Sequence, residues 1–161
     1  MITNESLKKA EVCIKLAKLR QIKIATAESC TGGMLSTCLT AIPGSSSVFE
    51  CGFVTYSNDA KIAHLQVPQQ YIEKHGAVSA EVAQAMAHGA LNNSLANLSI
   101  SITGIAGPTG GDAIKPIGLV YISCILKDVI MVEKYNFDGD RNMIRSKTVN
   151  TALDMIQDIV T

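Results

Sequence analysis

Three side chains able to act as nucleophiles stand in a row in TAESCTGG (Thr26–Gly33): Ser29, Cys30 and Thr31. The acid Glu28 precedes them, and the glycine pair Gly32 and Gly33 follows. Such a segment can attack a carbonyl, cradle an anion on its backbone, or serve only as a Ser/Thr-rich helix start. The glycines would let a ligand approach the main chain, and N–H groups at Thr31 to Gly33 would face an anion or oxyanion. The stretch is not a G-x-S-x-G elbow, because Ala27 stands two residues before Ser29. Nor is it a Walker loop, because no Gly-Lys-Ser/Thr follows.

A serine needs a base to become a nucleophile. The chain has three histidines, His64, His75 and His88. His88 falls mid-helix in MAHGA and His75 near a turn in KHGA, neither with an acidic partner in sequence. Lys61 is the better candidate. It follows a strand through TYSNDAK and could reach the sheet edge that carries Ser29. A lysine works as a base when burial or a nearby cation lowers its pKa; otherwise it is a solvated residue on a short helix. Tyr56 and Asn58, in the same run, can position substrate or relay a proton.

A second glycine-rich loop, TGIAGPTGG (Thr103–Gly111), also follows a strand. Gly104, Gly107, Gly110 and Gly111 give a backbone surface suited to a phosphate or a flat ring. In FDGDRNMIR, Arg141 and Arg145 lie four apart on one helix face. They can clamp a phosphate or pair with Asp138 and Asp140.

The elements that must position these groups follow from periodicity. An amphipathic helix is predicted from Ser6 to Leu19, capped by Thr3 or Asn4, then a strand at Ile22–Ala27 leading into the nucleophile segment. A helix follows at Gly32–Ala41, stopped by Pro43 and Gly44, then a strand at Cys51–Ser57. A short helix around Lys61 starts at Asn58 or Asp59. The next helix starts at Ser79 and carries the stripe Val82, Met86, Ala90. Strands at Leu98–Gly104, Gly118–Leu126 and Val129–Phe137 come next, the last two a hairpin through Lys127 and Asp128. Asp140 caps a final helix with Ile144, Thr148, Ala152, Met155 and Ile159 on one face. This order predicts one domain over residues 1–161, a three-layer α/β/α sandwich around a mixed β-sheet.

Composition narrows the function classes. Apolar residues are 47% and charged residues 17% of the 161, as in a globular chain with one core. Lys plus Arg and Asp plus Glu are 14 each, so no basic excess draws the chain to nucleic acid or an anionic membrane. An anion it binds must be small and held locally. No apolar run suits a bilayer, and five scattered cysteines without a Cys-x-x-Cys pair point to reduced thiols in a cytoplasm, not a disulfide framework or zinc site.

TAESCTGG, PGSSSVFECGFVTYSNDAK, HGAVSAEVAQAMAHGA, SITGIAGPTGG, KPIGLVYI and FDGDRNMIR together resemble the nicotinamide-nucleotide amidase family, which includes the carboxy-terminal domain of the CinA competence/damage-inducible proteins. The blocks run in the same order from Thr26 to the final helix. The resemblance implies hydrolysis of the carboxamide of nicotinamide mononucleotide to nicotinate mononucleotide and ammonia, without metal or cofactor, by a Ser/Lys dyad. Ser29 and Lys61 match that dyad, with Tyr56 beside them. The implied substrate-contacting set is Glu28, Cys30, Thr31, Gly32, Gly33, Ser46, Asn58, Thr103, Gly104, Ala106, Gly107, Gly110, Arg141 and Arg145. CinA proteins usually carry a further amino-terminal domain; here the motif begins at Thr26, which implies the stand-alone form. Exposed apolar strands and family habit point to a homo-oligomer, a dimer or larger. A different class remains open: a non-catalytic nucleotide-binding regulatory module linked to competence or DNA damage, in which Lys61 pairs a phosphate.

Overall fold

The computed structural model describes residues 2–161 and orders its elements as α1 (Asn4–Leu19), β1 (Ile24–Glu28), α2 (Met34–Thr40), a 3-10 turn (Ser45–Ser47), β2 (Phe49–Val54), α3 (Asn58–Leu65), α4 (Gln69–His75), α5 (Ala80–Asn92), β3 (Leu98–Gly104), β4 (Leu119–Leu126), β5 (Val129–Asn136) and α6 (Arg141–Val160). The five strands form one sheet in the order β2-β1-β3-β4-β5. β1 runs parallel to β2 and β3, while β3, β4 and β5 are successively antiparallel. The mixed sheet follows from the connections. α2 lies between β1 and β2, and α3 to α5 lie between β2 and β3; such crossovers allow parallel pairing. β4 and β5 are joined by two residues, Lys127 in the left-handed region at φ 54° and Asp128, which forces an antiparallel hairpin.

Two layers of helices cover the sheet. On one face α1, α2 and α6 pack over Ile24, Leu98, Ile100, Ile102, Val120, Ile122 and Cys124. On the other, α5 lies across β1, β3 and β4, with α3 and α4 against it; Ala25, Ala27, Leu65, Val67, Val82, Met86 and Ala90 form this smaller core. Strand alternation sorts the residues: along β1, Ile24 faces the first layer and its neighbour Ala25 the second. β3 presents Ser101 to the α5 side, where its hydroxyl donates to the Ala83 carbonyl at 2.6 Å. Gly89 of α5 is required by contact, since a Cβ there would collide with the Leu65 carbonyl at the end of α3.

Local chemistry explains most boundaries. Thr3, Ser79 and Asp140 accept from backbone N–H groups of the first turns of α1, α5 and α6. α3 differs from the expected cap at Asn58 or Asp59: Ser57 is the cap, accepting from Ala60 N–H at 3.1 Å. α2 starts at Met34, not Gly32, because Gly32 (φ 60°) and Gly33 (φ 89°) are left-handed. β2 is displaced toward the amino terminus relative to the predicted Cys51–Ser57, since residues from Ser57 onward are drawn into the start of α3. Helix α4, absent from the prediction, has no buried residue, so it leaves no apolar stripe to read. Among the described residues no helix is long and apolar enough to cross a membrane.

Candidate active site

Ser29 comes directly after the last residue of β1, and its N–H still pairs with the Ile102 carbonyl of β3 at 3.0 Å. Alternation turns it away from Glu28 and toward the α3 side of the sheet. There the Lys61 Nζ donates to Ser29 Oγ at 3.0 Å. Lys61 is 1% exposed, the bulkiest of the fully buried side chains. Its remaining contacts are the carbonyls of Thr55, at 2.9 Å, and Tyr56, at 3.4 Å. None of the ion pairs among the described residues includes it. Burial therefore pushes its pKa below the ordinary lysine value, favouring the neutral amine that can accept a proton. A buried lysine held by carbonyls and a serine, without a carboxylate, is costly for stability and suited to base catalysis.

A pocket of about 350 Å³ opens over this pair, lined by Ser29, Cys30, Tyr56, Asn58, Lys61, Ala77, Val78, Thr103, Gly104, Ile105, Ala106, Gly107, Thr109, Gly110 and Arg141. Its walls are the turn after β1, the β2–α3 connection, the residues before α5 and the loop after β3. Arg141 ties two of these together: Nη1 donates to the Gly107 carbonyl at 2.7 Å and Nη2 to the Tyr56 hydroxyl at 2.8 Å. Thr103 Oγ1 donates to the Ala77 carbonyl at 2.8 Å and fixes a third wall. Lys115 Nζ bonds the His75 and Val78 carbonyls, anchoring the far end of the glycine-rich loop.

Of the residues expected around a substrate, Cys30, Asn58, Thr103, Gly104, Ala106, Gly107, Gly110 and Arg141 line this pocket together with Ser29, Lys61 and Tyr56. Others lie elsewhere. Glu28 is fully buried behind the turn, accepting from the N–H groups of Gly33, Leu35 and Ser36. The Gly32 N–H is used by the Ser29 carbonyl. The expected anion cradle at Thr31–Gly33 is thus corrected: at Gly32 and Gly33 the protein's own oxygens occupy it. Thr31 is buried, with its carbonyl held by Arg145 Nη2 at 2.8 Å. Arg145 Nε donates to the Cys30 carbonyl at 3.1 Å, so Arg145 braces the turn after Ser29 from α6 and is not a pocket wall. Neither arginine forms the ion pairs with Asp138 or Asp140 that their spacing suggested. Ser46 is exposed in the 3-10 turn ahead of β2, at the opposite end of the parallel strands from Ser29.

The Cys30 thiol has its pKa pushed up to about 12 by burial, which removes it as a competing nucleophile near neutral pH. His64 and His88 are exposed on α3 and α5 and do not line this pocket. Sequence reasoning missed Ala77, Val78, Ile105 and Thr109 as pocket walls. Only the neighbouring cap Ser79 and the loop glycines signalled those regions.

Against this geometry stand the comparisons with known proteins. The profile of the CinA C-terminal domain matches residues 6–160. The chain belongs to the CinA C-terminal domain family. Its fold superposes on the competence/damage inducible protein CihA from Agrobacterium tumefaciens with a TM-score of 0.97 and 40% identity, over 100% of this chain and 99% of that one. A CinA superfamily protein from Escherichia coli gives a TM-score of 0.93 at 32% identity, over 99% and 94% of the two chains. A CinA-like protein of Citrifermentans bemidjiense is 52% identical over 136 residues, 84% of this chain but 33% of that protein. The chain spans 33% to 38% of the length of three curated relatives it matches. The three-layer α/β fold with a mixed sheet is therefore that of the CinA C-terminal domain.

Proposed function

We propose that this CinA domain is an amidohydrolase that cleaves the carboxamide of nicotinamide mononucleotide to nicotinate mononucleotide and ammonia. The observation that carries the reading is the 3.0 Å contact between Ser29 Oγ and a Lys61 amine that is buried without a carboxylate partner.

In this reading neutral Lys61 takes the Ser29 proton as Oγ attacks the carboxamide carbon. The tetrahedral oxyanion is held by backbone N–H groups of residues that line the pocket with Ser29; Cys30, Ala106 and Gly107 are the candidates. One well-aimed donor of that kind contributes about 3–4 kcal/mol. Protonated Lys61 then gives its proton to the departing nitrogen, so ammonia leaves and Ser29 carries the acyl group. A water, deprotonated by Lys61, attacks the ester; Lys61 returns that proton to Ser29 Oγ as the acyl–oxygen bond breaks, and the acid leaves. In this reading the pyridine ring lies between Tyr56 and the glycine-rich loop, and Arg141 with Thr109 and Gly110 takes the phosphate, a role supported by their place in the same pocket.

The test is ammonia release from nicotinamide mononucleotide, measured beside nicotinamide riboside and free nicotinamide. Activity on the mononucleotide that vanishes in Ser29→Ala supports the reading. A folded wild-type protein that releases no ammonia from any of the three removes it.

A further inference from the structure

We infer that Glu28 is the positioning residue for the nucleophile: its buried carboxylate locks the turn that presents Ser29, without touching substrate or Lys61. The inference rests on Ser29 being the nucleophile, as proposed above.

Glu28 ends β1 and is 0% exposed. It faces the α2 layer, whereas Ser29 faces α3. Each carboxylate oxygen receives two donors. Oε2 accepts from Gly33 N–H at 3.1 Å and Leu35 N–H at 3.0 Å. Oε1 accepts from Ser36 N–H at 2.8 Å and the Ser36 hydroxyl at 2.6 Å. Three of the four donors are main-chain groups at the start of α2, where the helix dipole favours a negative charge. The fourth, Ser36 Oγ, is itself 2.7 Å from Thr26 Oγ1 of β1.

These bonds fix both ends of the segment that holds Ser29. Its start is pinned in the sheet, and its end is pinned to the side chain of the residue just before it. The span between contains two left-handed glycines, Gly32 and Gly33, which supply little stiffness of their own. A serine in so flexible a turn would lose the alignment with Lys61 on which attack depends. A carboxylate suits this role where an amide does not. All four partners can donate, and Gln would place an NH2 against two of them.

The experiment follows sulfonylation of Ser29 by a small electrophile, phenylmethylsulfonyl fluoride, in which Oγ displaces fluoride from sulfur, read by mass spectrometry, beside the kinetics of ammonia release. Circular dichroism and a melting curve fix conditions in which each variant is folded. Glu28→Gln is expected to label at Ser29 at least about tenfold more slowly than wild type, with kcat down by a similar factor and KM within about twofold. Labelling and kcat within twofold of wild type would overturn the inference and leave Glu28 a purely structural cap. A raised KM with unchanged kcat would overturn it in favour of a substrate contact. Should Glu28→Gln not fold, Ser36→Ala, which removes one donor and keeps the carboxylate, is read the same way: slowed labelling supports the inference, and wild-type labelling overturns it. Wild-type protein that labels at Ser29 yet releases no ammonia separates the two readings, ending the substrate assignment while the Glu28 comparison proceeds. Wild-type protein that never labels at Ser29 overturns both.

Discussion

Arg141 and Arg145, one helical turn apart on α6, hold two different parts of the site. Arg141 bridges the Gly107 carbonyl and the Tyr56 hydroxyl across the pocket. Arg145 reaches the Cys30 and Thr31 carbonyls behind it. The two should therefore fail differently. Arg141→Ala is expected to raise KM for the mononucleotide about 10- to 100-fold, as loss of a charge-assisted contact would, with little change toward the nucleoside that lacks the phosphate. Arg145→Ala is expected to lower kcat for both alike. Steady-state kinetics on the two substrates decide it, and identical profiles for both variants would contradict the division.

Ser29→Ala and Lys61→Ala are each expected to reduce ammonia release by at least about 10³-fold, and the double variant no further, because the two groups act as a unit. Lys61→Arg should be equally inactive, since a guanidinium stays protonated. Additive losses would speak against a dyad.

Burial lowers the Lys61 pKa from its ordinary value of 10.5, and the sign of two effects follows. Activity should rise with pH as the folded protein's Lys61 loses its proton. Stability also rises with pH between the folded and unfolded pKa values, because there the unfolded chain binds more protons than the folded one. Lys61→Met removes the charge and keeps the bulk, so it is expected to be more stable than wild type near neutral pH. Denaturant titrations should show that gap closing as pH approaches 10.5; a gap that widens would have the wrong sign.

Cys30, with its pKa near 12 and its side chain buried, is expected to resist iodoacetamide at pH 7.5. Cys30→Ala should retain activity within about tenfold of wild type, its chief cost being lost packing. Alkylation of Cys30 with parallel loss of activity would reopen the choice of nucleophile.

Gly89→Ala places a methyl group against the Leu65 backbone, which cannot shift as a side chain can. A loss of about 2 kcal/mol or more is expected by chemical denaturation. Because α3 carries Lys61, ammonia release should fall with it.

The order of strands and helices was legible in the chain because period-2 and period-3.6 patterns reflect burial on one side of an element. The caps Ser79 and Asp140 were legible for the same local reason: a side chain bonds N–H groups two or three residues on. Helix α4 has no fully buried residue and only Ile72 packed on the core, so it left no stripe. Reactivity was only half legible. Residue types put Lys61 forward as the base for a nucleophile among Ser29, Cys30 and Thr31, and family resemblance singled out Ser29. Yet their sequence separation of 32 carries no information on distance.

Folding settled the rest. Strand alternation at the end of β1 sends Ser29 toward Lys61 and Glu28 toward α2, so two adjacent polar residues belong to opposite layers. The same packing gives the N–H groups of Gly32 and Gly33 to internal oxygens and sends Arg145 behind the turn while Arg141 faces the pocket. Sequence alone determined which groups are present and which local elements carry them, because those depend on neighbours a few bonds away. Which groups meet, and which are left facing a substrate, depends on how distant segments share one sheet edge. Only the tertiary structure decides that.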